Sequence, residues 1–298
     1  METTIDNPAQ NHAHKPVSNQ SGTPFPYPGN KARLAEWVCQ NMIHHERFIV
    51  PFGGAGGVLF NKLPSRNEIL NDLNGDICTF YRVLRDQRGA LEEYLQLVPY
   101  HEQQYNDWKT QWDRGWRPSD DVKHAAVFYF LQRASFGADQ TGLRAVASGR
   151  KNSSRQFYNS LTRLSDFSER LAGVLIHNRD YTDLIEKYGD DADTLLYLDP
   201  PYTSCSDRYD APQFKSGRFA TWMAALEGEH QADWILSSLH VPLPVRDYPT
   251  IETDLIHQIN NESSAVSRTE KLTMNYHPDE VPMFSDKNSD QTSLSEFQ

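Results

Sequence analysis

The sequence predicts an α/β fold, a doubly wound and mostly parallel sheet of the nucleotide-binding type, on three observations. A short strand candidate, Arg47-Phe48-Ile49-Val50, runs into the glycine-rich Pro51-Phe52-Gly53-Gly54-Ala55-Gly56-Gly57. A second strand candidate, Glu68-Ile69-Leu70-Asn71-Asp72, ends in an acid about twenty residues beyond the loop, where nucleotide folds place the partner of ribose hydroxyls. The alternation of strands and helices resumes in the C-terminal half, where the apolar Thr194-Leu195-Leu196-Tyr197-Leu198 ends at Asp199-Pro200-Pro201-Tyr202. Strand, glycine loop, helix and acid-tipped strand together form the front half of such a fold.

The elements follow in order. Residues 1–22 hold almost nothing that could form a core and read as a disordered leader. After a turn at Pro28-Gly29, Leu34, Trp37, Val38 and Met42 have helical spacing. Val58-Leu59-Phe60 reads as the opening of a helix, and a second helix begins near Gly75 with Ile77, Phe80, Tyr81 and Leu84. Residues from about 90 to 172 change character: Tyr94, Tyr100, Tyr105, Trp108, Trp112 and Trp116 lie among helical stretches. The α/β pattern returns with a strand at Leu175-Ile176-His177-Asn178, a helix from Tyr181 to Tyr188, and strands at Trp234–Ser238 and Lys271–Tyr276. The predicted organisation is a catalytic domain of residues 23–90 and 173–284, a mainly helical insert at 91–172, and a flexible tail at 285–298.

Charge and composition narrow the function. The 298 residues carry 29 Lys and Arg against 40 Asp and Glu, a formal net charge of −11, which argues against a general nucleic-acid coating protein. Against that background Arg144, Arg150, Lys151, Arg155 and Arg163 form a basic island between Gln140 and Ser165 with no acidic residue, suited to a local grip on a polyanion. No apolar run approaches the ~18–20 residues of a membrane helix, and no secretory signal opens the chain. Cys39, Cys78 and Cys205 are far apart and odd in number, which points to a reducing cytoplasm and away from a disulfide scaffold. The histidines, His44-His45 included, lack metal-ligand spacing, so no metal is predicted.

Two motifs carry the chemistry. Four glycines within five positions let the backbone approach a ligand closely; without a ligand they would make only a tight turn. The order Gly-Gly-Ala-Gly-Gly favours a nucleoside ligand over a dinucleotide, and no P-loop pattern occurs. In Asp199-Pro200-Pro201-Tyr202 the two prolines remove two N–H donors, so the loop offers a carboxylate and carbonyl oxygens. Such a corner suits an amino group, and Tyr202 offers a flat face for a planar ring. The plain alternative is a proline-terminated strand with a surface tyrosine.

These blocks, in this order, resemble the Dam-type family of S-adenosylmethionine-dependent DNA adenine-N6 methyltransferases. Pro26-Tyr27-Pro28-Gly29-Asn30-Lys31 is similar to that family's N-terminal element, Pro51 to Gly57 to its donor loop, Asn71-Asp72-Leu73-Asn74 to its ribose-binding acid, and Asp199 to Tyr202 to its signature tetrad. Weaker likenesses are Asn178-Arg179-Asp180-Tyr181, Trp234-Ile235-Leu236-Ser237 and Glu270-Lys271-Leu272-Thr273-Met274-Asn275-Tyr276.

The resemblance implies a Rossmann-like methyltransferase sheet with an inserted target-recognition domain, and double-stranded DNA as partner. A cognate restriction endonuclease is a further partner that it admits. S-adenosyl-L-methionine would be the methyl donor, held by Tyr27, Lys31, Phe52, Gly53, Gly54, Ala55, Gly56, Asp72, Asp180 and Asp199. Asp199, Pro200 and Tyr202 would be catalytic. Arg144, Arg150, Lys151 and Arg155 would follow the DNA backbone. On the residues alone Lys31 reads as a solvated lysine at a helix start and the aromatic cluster as core, while the basic island reads equally as a phosphate track or as an ordinary solvated loop.

Two departures matter. Val50 stands where the family usually has Glu, which removes a polar contact near the donor's methionine moiety. Leu131-Gln132-Arg133-Ala134-Ser135-Phe136-Gly137 matches the family's target-recognition run only loosely, so the bases read do not carry over. The alternatives are action on RNA or on cytosine N4, whose enzymes tend to carry Ser in place of the tetrad Asp, and a catalytically silent DNA-binding relative.

Overall fold

The computed structural model describes residues 22–135, 142–148, 151–201, 214–257 and 266–280. The expected tail and all of the expected leader but Gly22 lie outside them. A seven-stranded sheet organises the chain. Its strands are β1 (Arg47–Val50), β2 (Asn67–Asn71), β5 (Val174–His177), β6 (Thr194–Leu198), β7 (Asp233–Ser238), β8 (Thr250–His257) and β9 (Val266–Met274), in the order β5-β2-β1-β6-β7-β9-β8. Pairs from β5 through to β7 are parallel, while β9 runs antiparallel to β7 and β8. The order reverses at β1, which β2 and β6 flank, and that switch point is where open α/β sheets bind ligands.

Helices cover both faces of the sheet, so its central strands are apolar on both sides. Every residue of β6 is buried, and its side chains alternate between two cores. Leu195 and Tyr197 join one core with Phe48, Val50, Leu70 and Ile235; Leu196 and Leu198 join the other with Ile49, Ile69, Trp234 and Leu236. The second core is closed by α8 (Tyr181–Tyr188) and α9 (Ser216–Glu229), through Leu184, Ile185, Phe219 and Met223.

The first core is closed by α2 (Gly75–Asp86) and by the helices that follow it: α3 (Arg88–Leu97), α4 (Glu102–Asp113), α5 (Asp121–Ala134), α6 (Ser153–Leu161) and α7 (Leu164–Leu171). Helix α5 is buried all round, from Ala125 to Leu131, as befits the centre of a helical layer. Phe80 of α2 stacks on Tyr129 of α5, ring centres 5.5 Å apart, so the helical insert and the sheet share one continuous core. Between α5 and α6 lies a small hairpin, β3 (Ala147–Ser148) with β4 (Lys151–Asn152). No helix among the described residues is long and apolar enough to cross a membrane.

Three elements differ from the sequence expectation. Val58-Leu59-Phe60 leads only into a 3₁₀ turn at Leu59–Asn61, because Pro64 keeps Leu63 out of helical backbone. Strand β9 starts at Val266, five residues before the predicted strand. Strand β8 escapes sequence reading because Thr250, Glu252, Thr253 and Asp254, on the edge of the sheet, leave no apolar run to mark it. The helix expected from Leu34 is present as the short α1 (Ala35–Gln40).

A buried charged cluster ties β2 to α7. Glu68 accepts hydrogen bonds from Lys62 Nζ at 3.1 Å and Arg170 Nη2 at 2.8 Å, and all three side chains are buried. Burial by itself raises the Glu68 carboxyl, but the Arg170 hydrogen bonds and the Lys62 charge outweigh it and hold it below the ordinary glutamate value. That stability is therefore present at neutral pH and is lost as pH falls through the depressed value. Glu68→Ala strands two buried cations and is expected to cost about 3–5 kcal/mol, measured by urea unfolding at pH 7. Part of that difference should vanish only as the pH is taken below the ordinary glutamate value of 4.5.

Candidate active site

The C-terminal ends of β1, β2 and β6 open into a cavity of about 270 Å³. The glycine loop forms its floor. Gly54 and Gly56 adopt φ of +47° and +70°, the left-handed region that side chains disfavour. Gly57 matters for a different reason: a Cβ there would lie 2.3 Å from Asn30 Oδ1 and 2.9 Å from the Lys31 nitrogen. The N-terminal element thus sits directly on the loop, and Asn30 Oδ1 accepts from Ala32 N at 3.0 Å to fix its turn.

Two side chains that sequence reasoning did not single out hold the loop in shape. Tyr81 on α2 donates its hydroxyl to Gly54 O at 2.9 Å, and burial pushes its phenol well above the ordinary value, so it stays a donor. Buried Asn71 donates through Nδ2 to Pro51 O and Arg179 O and accepts from Arg179 N, each at 2.9 Å. It staples together the loops leaving β1, β2 and β5. A polar residue one step before the end of an apolar strand was the available signal.

Asp72 leaves β2 beside the loop. Its Oδ2 accepts from Gly54 N at 2.7 Å and its Oδ1 from Asn74 N at 2.8 Å, which leaves each oxygen lone-pair capacity toward the cavity. Burial pushes this carboxyl above the ordinary aspartate value, against the pull of those N–H donors. Asp180 caps α8 by accepting from Thr182 N at 3.0 Å, and Arg218 of α9 pairs with it at 2.8 Å. Burial would raise its carboxyl, but the Thr182 and Arg218 bonds hold it below the ordinary value. Phe52 packs on Tyr181, ring centres 5.1 Å apart.

The opposite wall belongs to the tip of β6. Lys31 Nζ lies 2.8 Å from Asp199 Oδ1, 3.0 Å from Gly29 O and 3.6 Å from Glu270 Oε1 on β9. Lys31 is only 5% exposed, so it is not the solvated lysine its local sequence suggests. Ser237 of β7 donates to Glu270 Oε1 at 2.8 Å. Glu270 is a third feature the sequence reading left without a role. Its signal was an acid sharing a strand face with Leu272 and Met274, both fully buried. Burial and the charges of Asp199 and Glu270 push the phenol of Tyr197, also on the cavity wall, well above its ordinary value.

The structure thus brings Tyr27, Lys31, Phe52, Gly53, Gly54, Ala55, Gly56, Asp72, Asp180, Asp199 and Pro200 to one cavity, with Val50 as an apolar part of its wall. Tyr202 and Cys205 lie outside the described residues, as do Phe136, Gly137 and Arg150; Lys151 is described only as backbone, in β4. Arg144 and Arg155 are exposed and away from the cavity lining, Arg155 on the first turn of α6. Among the described residues no group of three or more His, Cys, Asp or Glu side chains is placed to hold a metal ion.

Comparison with known proteins gives this geometry a family. The model of the D12 class N6 adenine-specific DNA methyltransferases matches residues 27–238, well over half of the chain. The chain belongs to that family. Its match includes the N-terminal element, the glycine loop, Asp72 and the β6 tetrad, and stops before β8 and β9. Among characterised relatives, a type II methyltransferase of Methanocaldococcus jannaschii, M.MjaIII, is 25% identical over 196 residues, 58% of this chain and 66% of that protein. The DNA N-6-adenine-methyltransferase of Escherichia phage P1 is 27% identical over 207 residues, 63% of this chain and 25% of the phage protein. M.CviBI, a type II methyltransferase of Paramecium bursaria Chlorella virus NC1A, is 27% identical over 169 residues, 54% of this chain and 61% of its own. The matched region spans just under two thirds of the first and third relatives and a quarter of the second.

Gly57→Ala tests the close contact between the N-terminal element and the loop. The crowding is expected to cost about 1–3 kcal/mol of stability, read as a lower urea midpoint, while the circular dichroism spectrum stays that of the parent. An unchanged midpoint would mean that the contact is dispensable.

Proposed function

We propose that this protein transfers a methyl group from S-adenosylmethionine to the N6 amino group of adenine in a specific sequence of double-stranded DNA. The observation that carries the proposal is the shared cavity: the glycine loop and Asp72 line it together with the carboxylate and carbonyl acceptors at Asp199 and Pro200. Asp72 and Asp199 follow the two strands that flank β1, so roughly 10 Å separates them at ordinary strand spacing. That span suits a nucleoside with a short sulfonium arm. The residues present fit such a donor. The left-handed glycines leave its backbone cradle open, Asp72 keeps acceptor capacity for ribose hydroxyls, and Phe52, Asp180 and Tyr181 wall the adjoining space. Val50 makes the wall apolar where the family's Glu would offer a carboxylate.

When bound, S-adenosylmethionine supplies an electrophilic methyl on a positively charged sulfur. The chain supplies the rest. The adenine amine is a poor nucleophile because its lone pair is delocalised into the ring. Hydrogen bonds from that amine to the Asp199 carboxylate and the Pro200 carbonyl favour a tetrahedral nitrogen and free the lone pair. Holding amine and methyl in line converts an encounter of two ligands into a step within one complex. The nitrogen lone pair forms the new nitrogen–carbon bond as the carbon–sulfur pair returns to sulfur, leaving a neutral thioether, and the methylated amine then loses one proton to solvent. No covalent enzyme intermediate is needed, and Cys205 is given no role.

A base stacked in a duplex cannot reach this corner, so the target adenine must be flipped out, with Tyr202 as its stacking partner. The insert at residues 91–172 is assigned to target recognition, and the basic island, Arg144, Arg150, Lys151 and Arg155, to the phosphate backbone. Backbone contacts add affinity and salt dependence without reading sequence. The type II names of two relatives extend the proposal to a partner endonuclease that cuts the same site when it is unmethylated. The place of action is the cytoplasm.

Purified protein with labelled S-adenosylmethionine and unmethylated duplex DNA is expected to yield labelled N6-methyladenine on hydrolysis; label in cytosine, or in RNA alone, would reject the reading. Asp199→Ala should lower transfer by at least a thousandfold with donor binding retained in part. Arg144→Ala with Arg155→Ala should weaken DNA binding and reduce the slope of log affinity against log salt by about one for each phosphate that is no longer neutralised. An unchanged slope would remove the island from the DNA path.

A further inference from the structure

Glu270 lies beyond the residues that match the family model, yet it stands 3.6 Å from Lys31, which lines the cavity. Its side chain is 3% exposed, accepts from Ser237 Oγ at 2.8 Å, and stands 3.6 Å from Lys31 Nζ. Lys31 Nζ in turn is 2.8 Å from Asp199 Oδ1. Among the described residues one cation and two carboxylates therefore meet in a largely buried cluster, and these three groups by themselves sum to one negative charge. Burying an anion is costly, and a cluster that served only to neutralise Asp199 would need Lys31 alone.

The second carboxylate changes what Asp199 presents to a substrate. With Lys31 as its only neighbour, Asp199 would form a neutral pair, and an acceptor so neutralised polarises an amine weakly. Glu270 divides the pull of the ammonium between two anions, and the Ser237 hydroxyl supports it there. Asp199 then keeps a net anionic field toward the cavity. Methyl transfer moves one positive charge from sulfur to the amine nitrogen, so a site with net negative charge favours the transition state where a neutral one would not. In a water-poor site these interactions are stronger than in solution.

We infer that Glu270 is a positioning residue for methyl transfer: acting through Lys31, it balances the lysine charge so that Asp199 remains an effective anion for the target amine. This rests on the methyl-transfer reading of the same site and deepens it. Glu270 touches no reactant, takes no proton and forms no bond.

The test measures single-turnover methyl transfer to duplex DNA at saturating S-adenosylmethionine, with donor Kd by calorimetry. It compares the wild-type chain, Glu270→Gln, Lys31→Met, the double variant and Ser237→Ala. Glu270→Gln keeps the shape and is expected to slow transfer ten- to a hundredfold with donor Kd within threefold of wild type. The double variant should transfer faster than Glu270→Gln, because removing one cation and one anion together returns the net charge beside Asp199 to that of the wild type. Ser237→Ala leaves both charges in place and should slow transfer three- to tenfold at unchanged donor affinity. This arm keeps the inference open to refutation should Lys31→Met fail to fold.

Transfer by Glu270→Gln within threefold of wild type would overturn the inference. So would a rate loss matched by an equal loss of donor affinity, losses that multiply in the double variant, or a Ser237→Ala protein indistinguishable from wild type. A wild-type chain that places no methyl on adenine rejects the parent reading and this inference with it. A methylating wild type with an equally fast Glu270→Gln rejects the inference alone.

Discussion

A lysine 31 residues into the chain, a carboxylate at the tip of β6 and a glutamate near the end of the sheet meet around a single ammonium group. Each of these charges is expensive to bury alone, and each is tolerable because the others are there. The cluster therefore does two jobs. It fastens the N-terminal element over the glycine loop, and it sets the charge of the corner where an amino group would be received. The close seating of Lys31 and Asn30 on Gly57 has the same effect from the backbone side, since a side chain at that glycine would push the element away.

The sheet topology explains why this meeting happens where it does. Strands β2 and β6 lie on either side of β1, so the loops that follow all three diverge at one end and leave a crevice. Asn71 keeps the crevice from spreading by bonding the loops after β1 and β5 from its place at the end of β2. Rigid strands buried on both faces aim the ligand-facing residues, and the loops have only to turn. Precise placement of a reacting pair depends on this kind of support.

The helical insert is less separate than its sequence character suggests. Phe80 against Tyr129, and Phe60 against Phe167, join it to the sheet through ring contacts inside one core. Arg117 bonds Asp76 at 2.8 Å and stacks on Trp112, while His124 reaches the same carboxylate, so charged contacts also cross from α2 to the insert. A segment packed this way transmits its position to the cavity with little slack, because close-packed interiors deform little.

Much of this protein was legible in its residues. The apolar run of β6, the glycines after β1 and the acid after β2 announce a nucleotide-type sheet, because burial on two faces and close backbone approach leave local signatures. The boundaries of β1, β6 and α8 follow directly from those signatures. Strand β8 did not, since Thr250, Glu252, Thr253 and Asp254 on the edge of the sheet leave no apolar run to mark it, although it pairs with the next strand in the chain. Nor did the burial of Lys31, the role of Tyr81 as a loop brace, or the place of Glu270 beside the lysine. A sequence records which groups are polar or charged, and local spacing determines the elements that carry them. Only the folded chain decides which charges lose their water and whose field they then feel, because that depends on contacts between segments far apart along the chain.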